Sequence, residues 1–455
     1  MLSAVGYVYL AQQSSGGYGT VSLSQMLWVC GATALLCFGV WFATVREWVR
    51  LNWWDVLLFA VLFRIIGVFG FPILEDDFYR YLWDGWLTFT QGTPYNQAPA
   101  AFFSVDLEDK WSDVLDGINY PQLATVYGPT AQGVFALGYL VAPGEVWPLQ
   151  LLAAVADIGV VCLLKRMAPL RWVLLYAWSP LLIKEFAFTA HIDVVGVLFL
   201  VAALHLRWQQ GQRRQANADD IIHAVLISTS VGTLLALACG IKVFALLAVP
   251  FLLQSDWRGW IAFGVTAGLI SLPFGIVQAW WPAGLQAMSG DWLFNAPLYY
   301  ASAALFGWEA LSGVKTLALV AFAAVSIWLY LRVCGRGLWP LQKALERPSP
   351  AVSVDAYIGS MTLLFGLLMF VLPVFNPWYL VWWLALSTLR PSYTAWTCSV
   401  VLFASYVTGI NLDRSQLSLY EQPAWILWLQ FVPVGMALAM DIAQRPSNRK
   451  HGLPG

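Results

Sequence analysis

The chain has 455 residues, of which 60% are hydrophobic and 11% charged, and its formal net charge is −1. Soluble proteins carry roughly 25% charged residues to solvate their surfaces, so this composition excludes a soluble enzyme or a disordered protein. A near-zero net charge also gives no basic footprint for binding nucleic acid. We therefore expect an all-α polytopic membrane protein, with membrane lipids and no nucleic acid among its partners.

Apolar runs near the length of about 20 residues that a membrane-crossing helix needs recur along the whole chain. They lie at residues 26–45, 53–73, 148–165, 172–188, 192–207, 221–240, 242–255, 259–280, 314–332, 356–374, 378–390, 393–411 and 423–441. These runs predict a bundle of about 12–14 transmembrane helices in one integral membrane domain, 1–455. A further segment, 128–142, is apolar enough either to span the membrane or to re-enter it. Prolines such as Pro180 and Pro373 predict that several helices are broken.

Lysines and arginines indicate the orientation, because they concentrate in short cytoplasmic loops. Seventeen of the 24 basic residues fall in segments that this rule places in the cytoplasm: 46–52, 165–171, 207–220, 255–259, 332–350, residue 390 and the chain after 442. The loop 74–127 then lies on the non-cytoplasmic face. It holds nine acidic and two basic residues, a net charge of −7, and is the expected location of any chemistry.

The acidic loop opens with Glu75, Asp76 and Asp77, followed by a pattern typical of an amphipathic surface helix. Asp77, Arg80/Tyr81 and Asp84 recur at helical spacing and share one face. One interpretation is an acidic cap that pairs with Arg80. The other is a catalytic site, because a carboxylate held at the membrane boundary can accept the proton of a hydroxyl substrate.

Two later segments carry further candidate residues. Tyr127 stands in a Tyr-Gly-Pro turn, which is either loop punctuation or the rim of a pocket above the acids. Lys184, Glu185, His191 and Asp193 fall between two apolar runs, where ionisable residues are costly and indicate function. The alternative is that Lys184 snorkels and pairs with Glu185. We expect no metal, because the His-x-Asp pair lacks the usual spaced partners.

Three more features complete the set. Lys242 follows a predicted span at its outer end, where an ammonium group can neutralise a phosphate. Arg64 and Asp157 lie inside predicted spans and are candidates to pair with each other. The aromatic turn at 375–379 is more typical of an interfacial belt than of a ligand contact.

Taken together, the motifs EDDFYRYLWDG, GTPYNQAP, VYGPTAQ, WSPLLIKEFAFTAHID and GIKVFALLAVPFLL resemble the GT-C superfamily of membrane glycosyltransferases. Within it, the chain looks closest to polyprenol-phosphate-mannose-dependent mannosyltransferases of GPI-anchor assembly, of actinobacterial lipomannan synthesis and of bacterial relatives. The resemblance covers residues 53–255 and leaves 256–455 as a C-terminal transmembrane module. It implies a multi-pass protein of a bacterial inner membrane, with its site facing the periplasm.

The resemblance also implies an activity, a sugar transfer from a polyprenyl-phosphate donor to a lipid or glycan acceptor with inversion and without a cofactor. An acidic residue of the loop 74–127 then acts as base, and the matching positions are Asp77, which we favour, and Asp76. The expected substrate-binding residues are Glu75, Arg80, Tyr81, Asp84, Tyr127, Lys184, Glu185, His191, Asp193 and Lys242. The chain departs from the family pattern at Trp86, Thr93 and Ala190, which bears on donor identity and leaves mannose as the family's expectation.

Two other classes of function compete with the transferase. A transporter or flippase for a lipid-linked sugar would spread its ionisable residues along a path through the membrane midplane, whereas these residues cluster at one face. A glycopolymer ligase or polymerase would be expected to use Arg and His in its external loops rather than adjacent carboxylates. The clustering favours the transferase.

Overall fold

The computed structural model describes residues 1–95, 97–215, 221–284, 292–334, 354–412, 417–418 and 420–444. Within these ranges the chain is helical and forms no β-strand, apart from an isolated bridge between Phe294 and Val374. The predicted all-α fold is therefore confirmed. The basic segments 335–350 and 445–455, which contribute to the predicted orientation, lie outside the described residues.

The N-terminal half of the chain contains the helices that surround the acidic loop. They are α1 (Leu2–Ser14), α2 (Leu23–Val45), α3 (Trp53–Val68), α4 (Asp77–Thr90), α5 (Asp109–Asp116), α6 (Pro129–Val141), α7 (Trp147–Lys165), α8 (Leu170–Ala177), α9 (Pro180–Leu182), α10 (Asp193–Gln215) and α11 (Ile221–Ile241). A π-helical turn, Ile183–Phe188, extends α9, and a 3₁₀ turn lies at Pro99–Phe102.

The C-terminal half consists of shorter helices and two long ones. They are α12 (Val249–Leu253), α13 (Trp257–Ser271), α14 (Ile276–Trp280), α15 (Pro297–Phe306), α16 (Leu311–Cys334), α17 (Val354–Val371), α18 (Leu380–Leu389), α19 (Tyr393–Val401), α20 (Gly409–Leu412) and α21 (Ala424–Gln444). The 3₁₀ turns of this half are Val243–Leu247, Trp308–Ala310, Pro377–Tyr379 and Leu402–Tyr406.

Six helices of the described chain are long and apolar enough to cross a membrane, namely α2, α7, α10, α11, α16 and α21. The multi-pass character predicted from composition agrees with this finding. Other predicted spans fold differently, because prolines interrupt them. The run 172–188 breaks at Pro180, and the run 242–255 divides into the 3₁₀ turn Val243–Leu247 and the short helix α12, which has Pro250 in its first turn.

The segment 128–142, which the sequence left open, forms the short helix α6. Thirteen residues at 1.5 Å each extend about 20 Å, less than the hydrocarbon thickness of about 30 Å. Helix α6 packs against α4, α7 and α11. Helix α6 is therefore too short to cross the membrane, and it packs against α4 of the acidic loop.

The broken segment between α8 and α10 is buried inside the protein. The amide of Gln150 donates hydrogen bonds to the carbonyl oxygens of Phe188 (2.6 Å) and Gly70 (3.1 Å). Ala190 adopts the left-handed conformation with φ 64° and turns the chain into α10. Irregular backbone at membrane depth needs such protein partners, because lipid offers none. The turn thereby brings Glu185 and His191 into contact.

Arg64 of α3 and Asp157 of α7 form an ion pair at 2.6 Å with both side chains buried, which confirms the predicted pairing. The guanidinium also donates to the carbonyl oxygens of Ala60 and Ala177, and Tyr176 donates to the second carboxylate oxygen of Asp157. Both carboxylate oxygens of Asp157 and most N–H groups of the Arg64 guanidinium therefore have hydrogen-bond partners. The pair fastens α3, α7 and α8 together.

Two close backbone approaches fix the acidic loop on the bundle. A Cβ at Gly85 of α4 would lie 2.5 Å from the carbonyl oxygen of Phe135, so only glycine lets α4 rest on α6. A Cβ at Gly128 would likewise lie 2.5 Å from the carbonyl oxygen of Gly240, in the last turn of α11. The loop therefore returns to the membrane in direct contact with the residues that precede Lys242.

The predicted polar face of α4 is covered by other parts of the protein, and the sequence did not predict which parts cover it. Asp77 and Arg80 line a cavity, whereas Tyr81 and Asp84 are buried. Tyr81 stacks on Phe135 with the ring centroids 4.7 Å apart. The loop 118–127 and α6 cover this face, a long-range packing that the helical period of one segment does not contain.

Candidate active site

A cavity of about 1440 Å³ lies between the acidic loop and the C-terminal helices. Glu75, Asp76 and Asp77 line one end, and Asp193 and Lys242 lie on its wall. The remaining wall includes aromatic and aliphatic side chains, such as those of Phe244, Trp280, Trp308 and Leu311. The cavity thus joins a charged end to an apolar wall, and it exceeds the roughly 300–1,000 Å³ of common small-molecule pockets.

The three acids occupy the turn between α3 and α4. Leu74 adopts φ 53° and reverses the chain, and α4 begins at Asp77 with Asp76 at its N-cap position. Carboxylates are favoured there because the N–H groups of the first helical turn present partial positive charge. Asn119 donates a hydrogen bond of 3.4 Å to Asp76, so the far end of the acidic loop also contacts the cluster.

Asp77 lies close to three polar groups of other side chains. The hydroxyls of Tyr81 and Tyr127 lie 3.5 and 3.4 Å from its Oδ2, and Nε2 of His191 lies 3.8 Å from the same atom. The structure thus brings together three residues predicted for the site from separate parts of the chain. The tyrosines orient the carboxylate, and a quarter of the Asp77 side chain stays exposed to the cavity.

Burial and mutual repulsion change the acidity of the cluster. Burial raises the pKa of Asp76 to about 7, with the neighbouring charge of Asp77 acting in the same direction. Burial also raises the pKa of Glu75 well above its ordinary value, and the charges of Asp77 and Asp76 add to the effect. Carboxyl groups with raised pKa values are common in sites that perform acid–base chemistry.

Lys242 forms the cationic part of the cavity wall. Its Nζ lies 2.9 Å from Oδ1 of Asp193 and 3.5 Å from the ring centroid of Tyr379, a cation–π contact. The indole N–H of Trp382 donates to the same oxygen of Asp193 at 3.0 Å. Asp193 supplies only one hydrogen-bond acceptor and the lysine side chain is 20% exposed, so Lys242 has donors left for an anion in the cavity.

His191 lies beside Asp77 and is fully buried. Its ring stacks on that of Trp378 with the centroids 3.9 Å apart and an interplanar angle of 14°. Its Nδ1 lies 3.2 Å from both the carboxylate and the carbonyl oxygen of Glu185. Glu185 also pairs with Lys184 at 3.2 Å, and Tyr406 contacts both residues.

Several predicted site residues have structural partners instead of facing the cavity. Lys184 and Glu185 pair with each other, as one interpretation of the sequence held, and both are buried. Asp84 is buried and accepts hydrogen bonds from Thr125 and Gln132. These three residues are predicted to bind substrate, and their observed contacts favour a role in positioning the loop and the turn.

Arg80 lines the cavity, but its guanidinium is engaged with backbone. It donates to the carbonyl oxygens of Leu123 (3.0 Å) and Tyr120 (3.2 Å). The sequence predicted either a pair with the adjacent acids or a contact to substrate. The observed bonds fix the loop 118–123 above the cluster, so the contribution of Arg80 to the site is mainly one of position.

Sequence reasoning missed part of the aromatic lining. Trp378 and Tyr379 come from the turn at 375–379, which the sequence assigned to an interfacial belt, and they contact His191 and Lys242. Tyr120 packs against Trp292 at 4.1 Å and Tyr420 at 5.9 Å near the opening. The signal was the motif Asn-Pro-Trp-Tyr, whose proline begins the 3₁₀ turn Pro377–Tyr379 between two apolar helices, but the partners of this turn lie more than 100 residues earlier in the chain.

Comparisons with protein-family models, with curated proteins and with solved structures gave no match to this chain.

Proposed function

We propose that the protein is an integral-membrane glycosyltransferase that moves a sugar from a polyprenyl-phosphate donor to a lipid or glycan acceptor. The observation that supports it best is the cavity, in which the carboxylates at 75–77 and the ammonium of Lys242 share one space with an apolar wall. An amphiphilic donor has the matching parts: a sugar, an anionic phosphate and a hydrocarbon chain.

In the proposed reaction, the carboxylates and Lys242 have different roles. The acceptor hydroxyl attacks C1 of the sugar, and its proton passes to a carboxylate of the Asp76–Asp77 pair. The new bond joins the acceptor oxygen to C1, while the bond from C1 to the phosphate oxygen breaks and its electron pair leaves with the lipid phosphate. Attack opposite the leaving group inverts C1. Lys242 stabilises the charge that develops on the phosphate.

Asp77 is our first candidate for the base, because it faces the cavity and its orientation is fixed by Tyr81 and Tyr127. Asp76 is the second, since it lies next in the chain and lines the same cavity. The lipid would lie along Phe244, Trp280 and Trp308. By the family resemblance the sugar is mannose, the membrane is a bacterial inner membrane and the site faces the periplasm.

The test is a transfer assay with the purified full chain, radiolabelled polyprenyl-phosphate mannose and a membrane-lipid extract as the acceptor source. Loss of a general base lowers rates by about 10²–10⁴-fold, so we expect that range for Asp77→Asn or Asp76→Asn. Glu145→Gln is the matched control, because it makes the same carboxylate-to-amide change in the exposed pair with Lys110.

Full transfer by the Asp76→Asn/Asp77→Asn double variant would remove the carboxylate pair from the mechanism. A wild-type protein that moves the labelled lipid across a vesicle membrane without forming a glycosylated product would instead identify the flippase. Replacing the label with other polyprenyl-phosphate sugars in the same assay determines the donor.

A further inference from the structure

Three side chains with metal-ligating atoms meet beside the cavity, two of them neighbours in the acidic loop and the third more than 100 residues later in the chain. One carboxylate oxygen from each of Glu75 and Asp77 and one ring nitrogen of His191 all lie within 4.8 Å of one another. Two of these residues begin the acidic loop, and the third follows the π-helical turn. The fold therefore assembles a donor set of two oxygens and one nitrogen.

The hydrogen bonds of His191 determine which of its nitrogens is available. Its Nδ1 faces two acceptors of Glu185, a carboxylate oxygen and a carbonyl oxygen, so Nδ1 carries a proton. Its Nε2 is fully buried and has no hydrogen-bond partner among the described residues. Nε2 also lies 3.8 Å from Oδ2 of Asp77. An unpartnered nitrogen thus points toward the two carboxylates.

The surroundings hold that nitrogen in place. Stacking on Trp378 fixes the plane of the imidazole, and the carboxylate of Glu185 fixes its tautomer. A metal-binding histidine commonly donates its second N–H to a carboxylate in this way, which raises the basicity of the ligating nitrogen. The Glu185–His191 contact therefore has the arrangement of an outer-shell partner with its ligand.

The nearby lysines and arginine form their direct contacts with other groups, so within the described chain none of them pairs directly with Glu75 or Asp77. Arg80 donates to backbone carbonyl oxygens, Lys184 pairs with Glu185, and Lys242 pairs with Asp193. Glu75 and Asp77 lie side by side at a partly buried position, where like charges repel. A bound cation would relieve this repulsion.

We propose that Glu75, Asp77 and His191 bind one divalent transition-metal ion, for which Mn²⁺ is the best-fitting probe. Carboxylates suit Mn²⁺ and imidazole suits transition metals, and three protein ligands leave coordination positions open toward the cavity. Three ligands at about 2.0–2.2 Å from one metal ion lie about 3–4 Å apart, so the ligand atoms, which lie within 4.8 Å of one another, need to approach by about 1 Å. This proposal departs from the metal-free site that the sequence predicts.

Binding of Mn²⁺ alone to the EDTA-treated, detergent-purified full chain tests the proposal without any sugar substrate. We expect one Mn²⁺ per chain, measured as loss of the free-ion electron paramagnetic resonance signal. Pulsed measurements on the bound ion should show coupling to one imidazole nitrogen. His191→Gln and Glu75→Gln should each weaken binding by at least about tenfold, while Glu145→Gln binds like the wild type.

His191 is buried, so the variant's size-exclusion profile and unfolding temperature must match the wild type before its binding is interpreted. The nitrogen coupling of the wild type needs no variant and tests the ligand set directly. No binding at millimolar Mn²⁺, bound Mn²⁺ without nitrogen coupling, or unchanged affinity in a folded His191→Gln variant would each overturn the proposal. Mn²⁺ binding by a protein without transferase activity would reject the proposed function and leave the metal site standing.

Discussion

Two ion pairs of this protein each join a basic side chain to an aspartate, but they differ in how far they are enclosed. Arg64–Asp157 is enclosed between α3, α7 and α8, where both side chains are at most 2% exposed. Lys242–Asp193 lies on the cavity wall, where the lysine side chain is 20% exposed. The first pair is surrounded by satisfied hydrogen-bond partners. The second leaves part of its ammonium group directed at an open space.

The two pairs differ in how many hydrogen-bond donors of the basic side chain are already used. This number distinguishes an ion pair with a structural role from one that can also bind a ligand. A guanidinium bonded to a carboxylate and two carbonyl oxygens has little left to offer a ligand, whatever its depth in the membrane. An ammonium that contacts one carboxylate and two aromatic rings keeps a donor available. Position in the membrane alone does not distinguish these two cases, but the number of committed donors does.

Removing one partner of the enclosed pair should have the largest effect on stability. Asp157→Asn leaves the charge of Arg64 buried without a counter-ion, a change that typically costs about 3–5 kcal/mol. We expect a much lower denaturation midpoint in detergent micelles. The double replacement Arg64→Met/Asp157→Leu should recover most of this loss, because no charge stays buried. A single variant as stable as the wild type would contradict the structural role of the pair.

Lys242→Gln should act on catalysis instead. The amide keeps a hydrogen bond within reach of Asp193 but removes the positive charge, so kcat/KM for the phosphate donor should fall by about 10²–10³-fold. The unfolding midpoint should fall less than in Asp157→Asn, because Asp193 keeps the hydrogen bond from Trp382 and lines the cavity. The measurement is the transfer assay paired with thermal unfolding. A loss of stability as large as that of Asp157→Asn would show that the two pairs have the same role.

The smallest effect belongs to a third pair, Lys110–Glu145, whose side chains are 46% and 55% exposed. Exposed pairs contribute about 0–1 kcal/mol, because water and salt screen them. Glu145→Gln should therefore leave both the unfolding midpoint and the transfer rate nearly unchanged. A marked drop in activity would reveal a contact of this loop that the described residues do not explain.

The sequence predicted those features that can be recognised from the residue types and spacing within a segment. The acids at 75–77 stand out because little else in the chain is charged, and the helix after them has a clear period. The Arg64–Asp157 pair follows from the cost of a lone charge in an apolar run. Tyr127 and Lys242 were placed on the same membrane face as the acids, and all line the cavity.

Contacts between distant segments account for what the sequence did not predict. The single segment containing Asp84 cannot show that Thr125 and Gln132 bury it. The predicted number of spans exceeded the long helices of the described chain, because prolines divide apolar runs into short pieces that neighbours must cover. The approach of His191 to Asp77 depends on the π-helical turn, which has no simple sequence period.

The contact between Gly128 and Gly240 has a mechanical consequence. It joins the returning acidic loop to the last turn of α11, directly before Lys242, so the carboxylates and the ammonium belong to one stiff frame. The opposite wall comes from separate helices near Trp280 and Trp308. Under the proposed function, we expect the hydrocarbon chain of the donor to lie against that wall, away from the contact that fixes the carboxylates relative to Lys242.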